Sequence, residues 1–344
     1  MSNVRLPSAA DRHLLNRCTF GVTPALVAGA KAAGGGPAWL NRQLHPESIR
    51  DSAATRMATW FPVLSKSPQV QWQDARDGRA TVYDMGVDFG NWTMLRRTYS
   101  RRQLHEVMVS FWSDLLHIPV SETKSWPLRI SYDRSIRKHA LGRFDNLLVA
   151  TETHPAMGAY LDNATSTRTK LNENLGREVL ELHTVGVGGG YSESDVLDSA
   201  RILTGYRVDL GTTWRGRYST VDHHVGAVKV IGFTSANASA DGRKVAEAYL
   251  RYLAHHPLTA QRVAARLCTR FGSDEPSAGY VNRVAKVYSQ SGTDIKATLK
   301  AVLSDRAFQS SIGAKVRTPA EDIVATILLS CSATTCTSTC GPRR

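Results

Sequence analysis

Apolar residues return every three or four positions through most of this chain, the period of helices with one buried face. The pattern predicts a first helix over residues 11–18 and a second opened by Pro24, with Thr23 as its cap. After the break Gly34-Gly-Gly-Pro37 it predicts another over residues 39–44. Residues 45–80 are less regular. A strong amphipathic helix follows over 101–117 and ends before Pro119. Residues 133–151 read as one or two further helices, and His154-Pro155 opens another that stops near Asp162. Beyond the flexible turn Gly186-Val-Gly-Gly-Gly190, Ser192 caps the next helix, with Asp195 placed for a capping box. That helix ends at Thr204-Gly205, where glycine suits the position after a helix. Residues 206–234 mix Tyr, Val, Thr and Trp with Gly, which predicts one small hairpin. From Asp241 onward the helical period resumes, and it is last seen over 319–329. No repeat of fixed period is present. The fold class expected is mainly α: a single helical domain over 1–329 with a small β-hairpin excursion. The polar Ser/Thr/Cys run of 330–344 reads as a disordered or aberrant tail.

One segment stands out from this pattern. Residues 170–183 hold two Asn, three Glu, one Arg and one His. Leu171, Leu175, Val179 and Leu182 form a single apolar stripe if the whole stretch is one helix. Glu178 and Glu181, three apart, project from adjacent turns, and Asn174 lies four before Glu178. Carboxylates so placed serve acid–base chemistry or hold a divalent metal, the cofactor this pattern points to. Glu178, Glu181, Asn174, Arg177, Glu173 and His183 are therefore the candidate catalytic residues. His183 lies about 200° from Glu181 around the helix, so nitrogen ligands must come from elsewhere. The candidate metal set is Glu178, Glu181, His256, His224 and Asp162. An alternative stays open: Glu173–Arg177 and Arg177–Glu181 are both i,i+4 pairs, and the segment then reads as a salt-bridge spine.

Charge and cysteines narrow the classes. The chain carries 43 Lys and Arg against 30 Asp and Glu, a formal net charge of +13. That suits anionic partners, but the basic residues are scattered in short pairs, and no nucleic-acid-binding motif accompanies them. Nucleic acid is therefore not the expected partner. No run approaches the roughly 18 apolar residues of a membrane span. Cys18 and Cys268 sit singly in helical segments. Cys331, Cys336 and Cys340 have spacings that fit no common zinc pattern. The first residues open into a helical pattern with no secretory apolar region, so the chain as written is expected in the cytoplasm.

Several motifs together resemble one family. They are His13-Leu-Leu-Asn-Arg-Cys-Thr-Phe-Gly21, Met108-Val-Ser-Phe-Trp112, His154-Pro-Ala-Met157, Tyr160-Leu-Asp-Asn163 and the run from Asn172 to His183. Asp195-Val196, Ala200-Arg-Ile-Leu-Thr-Gly205, Leu253-Ala-His-His-Pro257 and Lys315-Val-Arg-Thr-Pro319 continue the series. In this order they resemble the bacterial domain-of-unknown-function 1800 family over roughly residues 10–325. The resemblance implies no established reaction. It does imply an envelope role and a phosphatase/sulfatase-like partner, because members are often exported and encoded beside such proteins. The chain departs from that pattern in lacking an export signal. Ser113, Asp114 and Leu115 also stand where many members carry a His-Asn-His run, and the resemblance stops near residue 329. Two functions are therefore expected. One is a metal-dependent enzyme acting on a polar or anionic substrate; the other is a non-catalytic binding or assembly protein of the cell envelope.

Overall fold

The structure is a computed structural model that describes residues 7–120 and 123–333, without the side chains of 329 and 331–333. Among those residues are eighteen α-helices and two short antiparallel hairpins, so the protein is mainly α. Helix Phe144–Glu152 lies against Arg243–His255. Pro257–Phe271, Ala278–Gln290 and Ile295–Ser304 pack on one another behind them. Ala9–Cys18 and Gly36–Gln43 close against Gln103–Leu115. One continuous apolar core runs from Leu14 to Val324, and a smaller cluster gathers Leu64, Phe89, Trp92, Trp126 and Ile130.

Several large side chains with polar tips are buried in that core with the tip bonded to a carbonyl. Trp112 Nε1 donates to Ala140 O at 2.9 Å, and the Tyr132 hydroxyl donates to Leu116 O at 2.8 Å. The hydroxyls of Tyr280 and Tyr288 donate to Val302 O and Ala254 O, both at 2.8 Å. Each bond removes the penalty of hiding a hydroxyl or indole N–H from water and fixes one helix against another.

The structure redraws four predicted boundaries. Val82–Tyr99 is an 18-residue helix that the sequence pattern does not announce, although Thr81 and Asp84 form a complete capping box at its start. The single predicted hairpin is two. β1 (Tyr206–Val208) pairs with β2 (Gly216–Tyr218), and β3 (Val228–Val230) pairs with β4 (Phe233–Ser235). The helix predicted from residue 170 begins at Asn174, where Asn172 Oδ1 accepts from the Asn174 N–H, and it changes to a π-helix over Val179–His183. Finally, Pro319–Ala333 continues four residues past the predicted end. The remainder of the predicted tail lies outside the described residues.

The π-turn has a visible cause. Thr184 Oγ1 donates to Val179 O at 2.5 Å, and the Gly186 N–H reaches back to Leu180 O at 2.9 Å. Gly186 can do so because its φ is +93°, which other residues reach only with strain. One extra residue in the turn rotates the side chains beyond it. Leu180 and His183 turn inward, whereas Leu182, assigned by spacing to the apolar stripe, is 46% exposed.

Helix Asn174–Glu178 crosses Glu193–Leu203 at Gly176, where a Cβ would fall 2.5 Å from Ala200 N and 2.9 Å from its Cα. Both are backbone atoms and cannot rotate away. Gly176→Ala is therefore expected to lower stability by about 1–3 kcal/mol, the usual cost of overpacking. Chemical denaturation measures this, and an unchanged midpoint would mean that the two helices separate freely.

Candidate functional site

The carboxylates and amides of residues 173–183 divide between two faces of their helix. On the outer face Arg177 holds Glu173 at 3.0 Å, Glu181 at 3.5 Å and Glu193 at 2.6 Å. These bonds to Glu193 and Glu173 raise the Arg177 pKa further above its ordinary value, and the bond from Arg177 lowers that of Glu193. Glu181 also meets the Tyr191 hydroxyl, whose pKa is raised by burial and by that contact. This face is a half-exposed salt-bridge spine. Glu178 keeps one buried oxygen, Oε2, without a hydrogen-bond partner.

The candidate metal set does not assemble. Asp162 is bound by Lys124 at 2.8 Å, and its left-handed backbone opens the turn Asn163–Thr165. His256 caps helix Pro257–Phe271 through Nδ1, which accepts from the Leu258 N–H. His224 lies in the loop before β3, where its N–H donates to Thr204 Oγ1 and its carbonyl accepts from Asn237. Burial lowers the pKa of both histidines. No group of three or more His, Cys, Asp or Glu side chains among the described residues is placed to hold a metal ion. Apart from Glu178, each predicted ligand already serves a cap, a loop or an ion pair.

The inner face leads to a different place. His183 is buried, and its Nδ1 lies 3.1 Å from Oε1 of the equally buried Glu152, out of line for a hydrogen bond. Glu152 ends helix Phe144–Glu152 and stands in the wall of a cavity of about 320 Å³. Asn163 stands in the same wall. Its Nδ2 donates to Leu203 O at 3.0 Å, which fixes the amide and leaves Oδ1 buried without a donor. Three acceptor atoms, the two Glu152 oxygens and Asn163 Oδ1, thus lack a hydrogen bond beside one cavity.

The other walls come from β1, β2 and the turn into helix Pro155–Tyr160. Tyr206 and Tyr218, opposite each other in the hairpin, meet edge to face at 5.1 Å, and burial pushes both hydroxyls up to about 12. Gly216 admits the Pro155 ring, whose Cγ would lie 2.5 Å from any Cβ there. Arg207, Arg217 and Arg243 also line the cavity, and each has an acidic neighbour, Asp222, Asp209 and Asp241. The Arg243 guanidinium lies over the Tyr218 ring at 5.4 Å.

His154 completes the wall. Its Nδ1 accepts from the Ala156 N–H at 3.0 Å, so the neutral ring carries its proton on Nε2. Burial lowers its pKa to about 4.

A family model described as Protein of unknown function (DUF1800) matches residues 13–339. The chain belongs to that family. No curated protein and no solved structure matches it. The DUF1800 match extends past residue 329, where the motif resemblance alone ends. It spans the cavity at Glu152 and the 173–183 spine alike, so membership does not favour one over the other. Sequence reasoning takes Asp162 as a candidate metal ligand, meets Asn163 only within a family motif, and passes over Glu152, Tyr206 and Tyr218. One signal for Glu152 is present, because it falls on the buried stripe of its own helix with Phe144, Leu147, Leu148 and Thr151.

Two stability predictions separate the faces. Glu181→Ala should cost less than about 1 kcal/mol, because Arg177 keeps two other carboxylates near the surface. His183→Ala, which empties a buried site beside the Glu152 carboxyl, should cost about 2–4 kcal/mol. Urea melts of the two variants test the contrast, and equal losses would contradict it.

Acid sensitivity gives a further prediction. His154 takes up its proton near 4 in the folded chain but near 6.5 when unfolded. Between those values the unfolded state binds more protons. Stability from this group is therefore complete above 6.5 and falls, by at most about 3 kcal/mol, as pH drops towards 4. His154→Asn retains a capping acceptor and should flatten that part of the stability–pH curve. A curve as steep as wild type would assign the sensitivity to other groups.

Proposed function

We propose that this DUF1800 protein binds a small molecule rich in hydroxyl or amino groups in the cavity at Glu152. The observation that carries the reading is the set of three buried acceptors, Glu152 Oε1 and Oε2 and Asn163 Oδ1, beside one cavity. Buried acceptors without donors are costly, and a ligand offering O–H or N–H groups removes that cost on binding. Tyr206 and Tyr218 supply an aromatic wall suited to the apolar face of a sugar or to an ammonium group. Arg207, Arg217 and Arg243 add charged donors for an acidic substituent on the same ligand. At about 320 Å³ the cavity lies at the small end of ligand pockets, which run from about 300 to 1,000 Å³. In this reading the 173–183 segment acts from behind, its spine outside and His183 against Glu152 inside.

The test is calorimetry and thermal shift with a panel of amino sugars, neutral sugars and polyamines. At least one class should bind saturably to the wild-type chain. Glu152→Gln, which replaces an acceptor by a donor at nearly constant volume, should weaken that binding by at least about tenfold, equivalent to 1.4 kcal/mol. A panel without a saturable binder, or binding indifferent to Glu152→Gln, would overturn the proposal.

A further inference from the structure

A separate cavity of about 250 Å³ lies between helices Val82–Tyr99, Gln103–Leu115 and Arg129–His139, and it shares no lining residue with the cavity at Glu152. Its walls contain three arginines, Arg97, Arg129 and Arg137. The Arg129 guanidinium lies over the rings of Phe89 and Tyr132, 5.0 and 5.8 Å from their centroids. Its Nε and Nη1 are buried and have no hydrogen-bond partner. Arg137 is placed in a similar way. Its guanidinium lies over Trp92 at 4.7 Å, Nε donates to Asp133 at 2.6 Å, and Nη1 donates to Glu106 at 2.7 Å. Its Nη2 is buried and unpartnered.

Most neighbouring acceptors are already engaged, and the exposed Asp114 carboxylate in the same wall interacts electrostatically with Arg97. Glu106 Oε1 takes the Arg96 fork at 2.8 and 2.6 Å, and Oε2 takes Arg137. Asp133 Oδ2 is bound to Arg137. Arg97 donates to Ser110 Oγ at 3.1 Å, which leaves the serine O–H free to donate onward. Three nitrogen atoms, Arg129 Nε and Nη1 and Arg137 Nη2, are therefore buried donors without acceptors in the walls of one small cavity. None of the cavity's lining residues has a buried acceptor without a partner. Aromatic rings already stabilise the guanidinium faces, so what is missing is an acceptor for their edges.

We propose that this cavity binds a tetrahedral oxoanion of the phosphate or sulfate class, free or as the head of a larger ligand. Guanidinium edges match the oxygens of such an ion, and the low-dielectric wall strengthens each bond. This site is independent of the Glu152 reading, because the two use different residues and opposite hydrogen-bonding character.

Calorimetry on the full chain at constant ionic strength tests it, with inorganic phosphate, sulfate, glycerol phosphate and chloride as probes. Phosphate or sulfate should bind saturably at one site while chloride does not. Arg129→Met should weaken that binding at least tenfold. Lys138→Gln, an exposed charge on the same helix, should leave it unchanged. Arg129→Lys keeps the charge but loses the planar edges, and it too should bind at least threefold more weakly, which keeps the test decisive if the methionine variant folds poorly. Tighter binding of glycerol phosphate than of inorganic phosphate identifies a headgroup; the reverse order identifies a free ion. No selectivity over chloride, or wild-type affinity in the Arg129 variants, would overturn the proposal.

Discussion

The closest approach of a glycine to another segment's backbone among the described residues is that of Gly176 to Ala200, which brings helix Asn174–Glu178 onto Glu193–Leu203 with no side chain between them. Ser199 Oγ donates to Gly176 O at 3.0 Å and accepts from the Tyr249 hydroxyl at 2.8 Å, so a third helix is tied to the same crossing. From the other end of that element, Asp195 and Asp198 accept the backbone N–H groups of Ile231 and Lys229 and seat the β3–β4 hairpin. Thr204, just after the helix, meets His223 through its hydroxyl and its carbonyl and anchors the loop beyond β2. The depth of Gly176 therefore sets where both hairpins lie. Through the π-turn just beyond it, Gly176 also sets where His183 meets Glu152.

Helices whose caps and periods agree were legible in the sequence. Thr23 with Pro24, and Ser192 with Asp195, mark starts that the structure places as expected. The Arg177 pairs could likewise be read, since i,i+4 spacing alone brings those side chains together. Val82–Tyr99 was hidden despite the Thr81/Asp84 box, because its apolar residues are interrupted by Gly86 and Gly90 and shared between two core clusters. The π-turn could not be read at all. It depends on Thr184 and Gly186 reaching back over five and six residues, and that bonding has no counterpart in a period of 3.6.

The 173–183 segment draws attention in the sequence for a related reason. Counting polar residues along the chain favours the 173–183 segment, yet most of those groups satisfy one another near the surface. Glu152 attracts no notice in a sequence count, because it is one carboxylate at the end of an apolar helix. Its significance comes from long-range neighbours, Asn163, His183 and the hairpin tyrosines, which only the fold brings near it. The physical contrast is that a polar cluster on a helix shows where charges can pair, whereas the ligand site proposed above rests on polar groups that the fold leaves unpaired beside a cavity.

That distinction also explains why the net charge of +13 says little about recognition here. The three arginines beside the Glu152 cavity each sit with an acid, while the atoms lacking partners in its wall are acceptors. In the second cavity the atoms lacking partners are arginine N–H groups, although Glu106 and Asp133 stand among them. Local hydrogen-bond accounting thus assigns opposite ligand character to two cavities on one basic protein. Such unpaired atoms are uncommon in folded proteins, and replacing them by apolar groups of similar shape is often neutral or stabilising. On the two proposals above, a ligand in each cavity supplies the partners that the fold leaves missing.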